Sequence, residues 1–420
     1  MHYIMNTLEY TSRACRVPTT PARTTPNHGR RRGADTAVVM TTTATTAGGW
    51  PWRHLARMDG GVPLAVASQE EQAAGALGQH KLADLVAAFD ECGLAVIENV
   101  VPLRVIEQLR PRMLADAAAL SERKGWEARG TTGNGHLQMG SPKIAPWVHA
   151  ETVANRLVEQ IAVAVVGRSA VDGPVRPGNA LLPETLSAAA PLPQTLSADA
   201  SAAKVWLGFH NGNCATKFAG PHAGNSGFQT LHTDGGWTYQ TREEAAASGQ
   251  QWPHLTTCLH INFSVVDVTE LNGPEVWPGS HRVYSGVHRE KLQDEEFLAA
   301  RAAICPPVRA TYRKGAIALK DCRIWHRGAP NTSPENRPSV VLVYNAAGTP
   351  HQGSPGDARN THPIVFSKSA QNAFARHNPL VHRNAEFIDG PVNHLAGSHS
   401  PGGTVAGAPD PGFLGVLSKL

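Results

Sequence analysis

The chain has 420 residues, of which 41% are hydrophobic and 17% are charged, and its formal net charge is only +4. Much of this excess lies in the first 36 residues, and no basic stripe interleaved with aromatic residues follows, which argues against a nucleic-acid partner. The six cysteines form no CxxC pair and no apolar run is long enough to span a membrane, so we expect reduced thiols in a cytoplasmic protein.

The N-terminal residues 1–60 are rich in Thr, Arg, Pro and Gly and show no helical or strand period. Such a composition buries too little apolar surface to offset the entropy of ordering, so we predict a disordered leader. An Arg-rich and Thr-rich leader also suits an organellar transit peptide, and Met40 is an alternative start to Met1. Organellar targeting therefore stays open beside a cytoplasmic location.

We expect the folded chain to begin near Leu77 and to form a single domain over residues 77–395. Residues 82–93 have apolar side chains at helical spacing and end in glycine, which predicts a helix with a glycine stop. LAVIENVV then indicates a strand. The same helical spacing predicts two further helices, over residues 102–125 and 151–167.

Residues 168–203 interrupt this pattern with an imperfect ten-residue repeat, LPETLSA and LPQTLSA, in an Ala/Pro/Ser-rich tract. Such a repeat is typical of a flexible surface insertion. The runs that follow are short, strand-like and separated by turn residues, as in a sandwich or barrel: VWLGFH, FQTLHTD, TTCLHINFSVVDV, AIALKD and PSVVLVYN. The fold class is therefore mainly β with flanking helices, and residues 396–420 form a loose tail.

His232 and Asp234, in LHTDGG, are the first candidate metal ligands. On a strand, residues i and i+2 point to the same face, so both side chains can reach one point. A single His-x-Asp triplet is expected by chance in a chain with 20 histidines. A redox iron(II) site commonly needs a second histidine from another strand.

His326 is the best candidate for this third ligand, since it lies in a turn after the strand AIAL. The next strand opens at Arg337, and alternation places Arg337 and Ser339 on one face. A guanidinium binds a carboxylate through two parallel charged hydrogen bonds. Arg337 is therefore a candidate anchor for a dicarboxylate co-substrate whose other end chelates the metal.

Three motifs in this order resemble the phytanoyl-CoA dioxygenase family of iron(II)- and 2-oxoglutarate-dependent oxygenases: LHTDGGW, ELNGPEVWPGSHR and WHRGAPNTSPENRPSVVLVY. The likeness covers roughly residues 77–344 without the insertion. It implies a double-stranded β-helix, or jelly roll, with iron(II), 2-oxoglutarate and O2 as cofactor and co-substrates. By motif position it implies that His232, Asp234 and His326 bind iron and that Arg337 binds 2-oxoglutarate.

The resemblance also suggests Gln138, Asn213 and Asn262 as further 2-oxoglutarate contacts. His260 is expected to be a pocket-wall residue, and His281 is expected to shape a turn beside the site. The acyl-CoA substrate of the family name does not carry over, because the chain has no CoA-specific motif. We expect a small-molecule hydroxylase without nucleic-acid or membrane partners, and the sequence leaves the oligomeric state open.

Two alternatives to the hydroxylase stay open at this point. A non-redox jelly-roll metalloenzyme, such as an isomerase, needs the three metal ligands but not Arg337. A non-catalytic small-molecule-binding protein on a decayed scaffold needs neither, and the intact triad with Arg337 argues against it. The sequence does not indicate which residues of the irregular regions 120–150 and 346–395 form a lid.

Overall fold

A computed structural model describes residues 52–58, 61–121, 135–170, 203–217, 227–235, 242–247, 255–282, 291–347, 364–376, 378–389 and 392. Most of residues 1–60, the insertion and the tail lie outside this part of the chain, so their predicted disorder stays a prediction. Among the described helices, none combines the length and apolarity that crossing a bilayer requires.

The described part of the chain has seven α-helices beside the β core: α1 (Gln69–Ala74), α2 (Gln79–Cys92), α3 (Leu103–Ser121), α4 (Ala150–Val153), α5 (Arg156–Val166), α6 (Arg242–Ala247) and α7 (Glu295–Ile304). The glycine stop of α2 is confirmed, since Gly93 adopts a φ of 69° and its N–H donates to the Phe89 carbonyl. The single helix expected over 151–167 is wrong. Asn155 accepts from the Leu157 and Val158 amides as an N-cap, so α4 ends there and α5 begins.

The strands are β1 (Ala56–Arg57), β2 (Pro63–Val66), β3 (Leu94–Glu98), β4 (His136–Met139), β5 (Val205–Ala215), β6 (Cys258–Ser264), β7 (Glu275–Val276), β8 (Val308–Arg309), β9 (Ile317–Asp321), β10 (His326–Arg327), β11 (Arg337–Ala346), β12 (Ile364–Ser367), β13 (Val381–Arg383) and β14 (Ala385–Ile388). The start expected near Leu77 is too late, because β2 pairs in parallel with β3 and Trp52 is buried.

Two sheets form the core. The large sheet has the order β1-β2-β3-β9-β6-β11-β5-β13, and the small sheet has the order β10-β7-β8. Its β10 is extended by the backbone of His232, which bridges His326. A pocket lined by both sheets lies between them. The mainly β core with flanking helices, in a double-stranded β-helix arrangement, is thus confirmed.

Alternation along the central strands divides the core from the pocket. On β11, Val340, Leu342 and Tyr344 pack in the main hydrophobic cluster with the helices. Arg337, Ser339 and Val341, which point to the opposite face of the strand, line the pocket. β11 is therefore buried on both faces. One face is apolar and packs in the core, and the other carries polar side chains that face the pocket, as in the wall of a barrel.

The strand expected for FQTLHTD is wrong. Within residues 228–234 only His232 forms a bridge, and it bridges the two-residue strand β10. A partner this short gives the segment no ladder to join. His232 and Asp234 nevertheless reach the same point.

Two cysteines are joined, contrary to the expectation of reduced thiols. Cys258, at the start of β6, forms a disulfide with Cys322, which follows β9. The pairing of Leu259 with Asp321 between these strands brings the two residues together. Cys92, Cys214 and Cys305 are buried and form no disulfide in the described part of the chain.

The outer side of β5 is covered by two short strands from distant parts of the sequence. β4 pairs with residues Gly212–Ala215, and β13 pairs in parallel with residues Val205–Leu207. β13 is held by a buried ion pair in which the Arg383 guanidinium donates to the Glu159 carboxylate at 2.8 Å. Residues 346–395, unreadable in the sequence, thus contain part of the sheet.

Candidate active site

The pocket between the two sheets has a volume of about 280 Å³ and a polar face at each end. At one end lie His232, Asp234, His326 and Lys320. At the other lie Arg337, Ser339 and Asn213. Apolar side chains such as Leu94, Val276 and Val341 line the wall. The arrangement suits a small ligand that carries a charged group at each of its own ends.

The two histidines at the first end are fixed by their own backbone and by carbonyl acceptors. The amide of His232 donates to the carbonyl of His326, and the amide of His326 donates back to that of His232, at 3.1 and 2.9 Å. Each Nδ1 lies within hydrogen-bond distance of a carbonyl, 2.7 Å from Thr230 O and 2.9 Å from Ile324 O. A carbonyl can only accept, so each Nδ1 carries the proton and each Nε2 offers its lone pair.

Asp234 completes a set of three donors. Its carboxylate oxygens lie 3.6 Å from His232 Nε2 and 3.1 Å from His326 Nε2. One donor atom from each of the three residues lies within 4.8 Å of the others. The backbone is tied as well, because the Asp234 amide donates to Cys322 O at 2.9 Å, and Gly235 turns the chain away at a φ of 114°.

The charge states at this end suit a cation. Burial, followed by the neighbouring His326, lowers the pKa of His232 to about 4, so its ring is neutral at pH 7. Burial acts to raise the pKa of Asp234, but His326 and Lys320 outweigh it and hold this pKa well below its usual value. The neutral His232 ring, the Asp234 carboxylate and the imidazole Nε2 of His326 are donor types that divalent iron accepts.

Lys320 supplies direct evidence that this end attracts a cation. Its Nζ donates to Asp234 Oδ2 and contacts His326 Nε2, both at 2.7 Å. The ammonium thus contacts two of the three donors. His260 lies behind, with its Nδ1 3.3 Å from Asp234 Oδ2. The residues present therefore fit a bound divalent metal ion.

The opposite end presents a buried guanidinium. Arg337 is 7% exposed, its Nε donates to Asn272 O at 2.8 Å, and its Nη1 donates to Ser339 Oγ at 3.1 Å. The Ser339 hydroxyl in turn donates to Asn213 Oδ1 at 2.7 Å. Within the described ranges, no carboxylate pairs with Arg337. Burying an unpaired charge is costly, so this end is complementary to an anion.

His136 adds no second charge to the arginine end. Its Nε2 donates to Gly227 O at 3.1 Å. Burial lowers the pKa of His136 to about 4, and the nearby Arg337 and Arg309 act in the same direction. Arg337 is therefore the cation that a carboxylate meets there at neutral pH.

The structure brings most of the residues expected from the sequence to this pocket. Asn213, Asn262 and His260 line it. Gln138 pairs through its backbone with Asn213 at the covered edge of β5, so its contact with a co-substrate stays a prediction. His281 lies outside the pocket, where its Nε2 donates to Asp90 O at 3.0 Å in a buried turn near Gly93.

Lys320 and Asn211 are among the pocket residues that the sequence interpretation missed. In the run AIALKD, Leu319 and Lys320 point to opposite faces of the strand. A lysine within an apolar strand, shortly before the candidate ligand His326, is a signal for a pocket residue. Asn211 is buried, and its Oδ1 has no hydrogen-bond partner among the described residues. Two residues before Asn213 on the same strand, it could have been found by alternation.

Structures with similar folds were compared with the chain. EctD from S. alaskensis with bound iron is 20% identical, covers 66% of this chain and 80% of its own, and gives a TM-score of 0.38. HygX from Streptomyces hygroscopicus, with nickel and 2-oxoglutarate bound, is 13% identical, with coverages of 65% and 89% and the same TM-score of 0.38. Likeness at this level carries no information on the substrate.

A family model gives the decisive comparison. The model described as phytanoyl-CoA dioxygenase (PhyH) matches residues 89–339 of the 420, which is more than half of the chain. The matched range includes both histidines, Asp234 and Arg337. Enzymes of this family use iron(II), 2-oxoglutarate and O2. The protein therefore belongs to the phytanoyl-CoA dioxygenase family of iron(II)- and 2-oxoglutarate-dependent oxygenases.

Proposed function

We propose that the protein hydroxylates a small-molecule substrate and converts 2-oxoglutarate to succinate and carbon dioxide. His232, Asp234 and His326 hold the iron, and Arg337 binds the distal carboxylate of 2-oxoglutarate. One observation carries this proposal: three metal donors and a buried guanidinium, which has no carboxylate partner in the described ranges, lie at opposite ends of the same pocket. A dicarboxylate that chelates the metal at one end needs this spacing of charges.

The residues of the chain have separate tasks in this reaction. The carbonyls of Thr230 and Ile324 hold the two imidazoles in the tautomer that a metal needs. Ser339 orients the guanidinium of Arg337. When bound, iron supplies the activation of O2, whose atoms pass one to succinate and one to the substrate. Asn213 and Asn262 are proposed as further polar contacts of the co-substrate.

Asp234 bears on the type of reaction. Its carboxylate supplies the third protein donor, whereas related halogenating enzymes have a small residue at this position and leave room for a halide. We therefore expect an oxygen atom, and not a halogen, to enter the substrate. A chlorinated product formed by the wild-type enzyme in high chloride, detected by mass spectrometry, would contradict this assignment.

Anaerobic titration tests the proposal in two steps. Iron(II) should bind first, and 2-oxoglutarate should then produce the visible charge-transfer absorption of a chelated α-keto acid. Admission of O2 with a panel of small metabolites should release succinate in proportion to consumed 2-oxoglutarate. Iron binding without any response to 2-oxoglutarate would favour the non-redox metalloenzyme.

A non-catalytic binding protein is the second candidate, and Lys320 is the observation that favours it. An ammonium that already contacts Asp234 and His326 could replace the metal permanently. In that case iron(II) and Mn²⁺ would fail to bind at micromolar concentrations. Calorimetric titration with Mn²⁺ under the same buffer conditions separates this candidate from the oxygenase.

A further inference from the structure

Lys320 lines the pocket, but the proposed oxygenase reaction gives it no role so far. On β9, Ile317 and Leu319 pack in the main core, while Ala318 and Lys320 face the pocket. The side chain of Lys320 is 13% exposed, and its backbone is paired with β3 at Leu94 and with β6 at His260. Pairing on both sides fixes the position from which the side chain extends.

A metal ion and the Lys320 ammonium need the same partners. The ammonium contacts Asp234 Oδ2 and His326 Nε2, and both atoms are proposed metal donors. Two cations in contact with one oxygen repel each other strongly at low dielectric. Because the backbone of β9 is fixed and the lysine side chain is flexible, the ammonium would turn away from these donors but stay in the pocket.

The charges of the pocket then fail to balance. Its described lining contains one carboxylate, Asp234, and two cationic side chains, Lys320 and Arg337. A divalent metal brings the balance to three positive charges, and the dianion 2-oxoglutarate removes two of them. One positive charge is left in a largely enclosed space, and burying it without a partner is costly.

We propose that the substrate carries a carboxylate and that Lys320 binds it beside the metal. This inference rests on the proposed function, because the balance assumes a bound metal and 2-oxoglutarate. Lys320 thereby becomes a specificity-determining residue, and anionic substrates are favoured over neutral ones of the same shape. Arg337 is committed to 2-oxoglutarate, which leaves Lys320 as the cation for the substrate.

Benzoate and benzamide test this, because they match in shape and differ in charge. The full-length protein is loaded with Mn²⁺ and saturating 2-oxoglutarate without O2, and the binding of each probe is followed by calorimetry. Benzoate should bind wild-type protein at least about tenfold more tightly than benzamide, as expected for one charge-assisted contact. Equal or weaker binding of benzoate would overturn the inference.

Variants assign the effect to the side chain. Lys320→Met should lose the preference for benzoate, Lys320→Arg should keep it, and Lys314→Met, outside the pocket lining, should leave it unchanged. If Lys320→Met does not fold, Lys320→Gln replaces it. Preference retained in the uncharged variant would contradict the role of Lys320. A loss of 2-oxoglutarate affinity in Lys320→Met as large as that in Arg337→Ala would also contradict it, by assigning Lys320 to the co-substrate.

The loading steps keep the two proposals apart. Mn²⁺ and 2-oxoglutarate binding are measured before either probe is added. If wild-type protein binds neither, the proposed function and this inference both fail. If it binds both and shows no preference for benzoate, only the carboxylate substrate is ruled out.

Discussion

The two ends of the pocket are built from different kinds of backbone. The metal end depends on a bridge of single residues and a two-residue strand, held by the reciprocal amides of His232 and His326. The arginine end depends on β11 and β5, which pair over their whole length. The difference indicates that the arginine end is pre-organised, whereas the metal end relies on a few hydrogen bonds and would gain rigidity from the ion proposed to bind there.

The two ends also differ in charge. At the metal end one carboxylate faces an ammonium, and at the other a guanidinium lies without a carboxylate partner in the described ranges. The metal end thus already binds a side-chain cation, whereas the arginine end is open to an anion. Separate loss of metal binding and of 2-oxoglutarate binding is the sharpest way to test this division.

Asp234→Ala should have the largest effect. Partners that only orient a metal ligand change affinity by about 10–100-fold, so loss of a direct ligand should weaken Mn²⁺ or iron(II) binding by more than about 100-fold. Calorimetric titration measures it, with Asp389→Ala, an exposed carboxylate, as the control. Unchanged metal affinity in Asp234→Ala would remove this residue from the metal site.

Arg337→Ala should come next and should act only at the other end. Loss of charged hydrogen bonds costs about 2–4 kcal/mol, which corresponds to roughly 30-fold or more in 2-oxoglutarate affinity. Metal affinity should stay within about twofold, an ordinary margin for a site that is not touched. Arg337→Lys keeps the charge but not the paired hydrogen-bond geometry, so its 2-oxoglutarate affinity should lie between those of the wild-type protein and Arg337→Ala. Parallel loss of metal binding would show that the two ends are coupled.

Ser339→Ala should have a moderate effect, since Ser339 positions Arg337 and does not itself carry charge. A neutral hydrogen bond contributes about 1 kcal/mol, so 2-oxoglutarate affinity should fall about fivefold. Ser339→Thr keeps the hydroxyl and should restore most of it. An equal loss of 2-oxoglutarate affinity in Ser339→Ala and Ser339→Thr would show that Ser339 acts through packing and not through its hydrogen bond.

The pH dependence of 2-oxoglutarate binding should be the smallest effect. His136 has a pKa of about 4 because it is buried, so it stays uncharged from pH 8 down to pH 5.5. Protonation would add positive charge and strengthen binding of the dianion as pH falls, but only near pH 4. Affinity should therefore vary less than about twofold between pH 8 and pH 5.5. A rise in affinity centred near pH 6.5 would show an ordinary histidine at this end.

How far the site could be predicted depends on which interactions create it. His232, Asp234 and Arg337 were found because they follow local patterns, a triplet and a strand alternation. Lys320 faces the metal end only because β9 pairs with β6, and Cys322 meets Cys258 through the same pairing. The lysine within AIALKD is a signal in the sequence, but a local period does not give the register between distant strands, so the contacts that Lys320 and Cys322 make could not be predicted.

The fold shows the same division. The glycine stop of α2 and the alternation of β11 are short-range features, and both are as expected. FQTLHTD has strand-like composition, yet its neighbour in space is too short to form a ladder with it. The break at Asn155 was hidden because apolar spacing continues across it, and capping decided the boundary.

The pairing of β4 and β13 with the edge of β5 affects how readily copies of the chain associate with one another. An uncovered strand of this length would present a row of free amides and carbonyls, which is a template for another copy to add a strand. β4 pairs with one end of that edge and β13 with the other, and β13 lies more than 40 residues beyond the end of the family match at residue 339. The segment around Arg383 therefore guards against edge-to-edge aggregation, and a chain ending after β11 would keep the pocket-forming strands while exposing Val205–Leu207 to association.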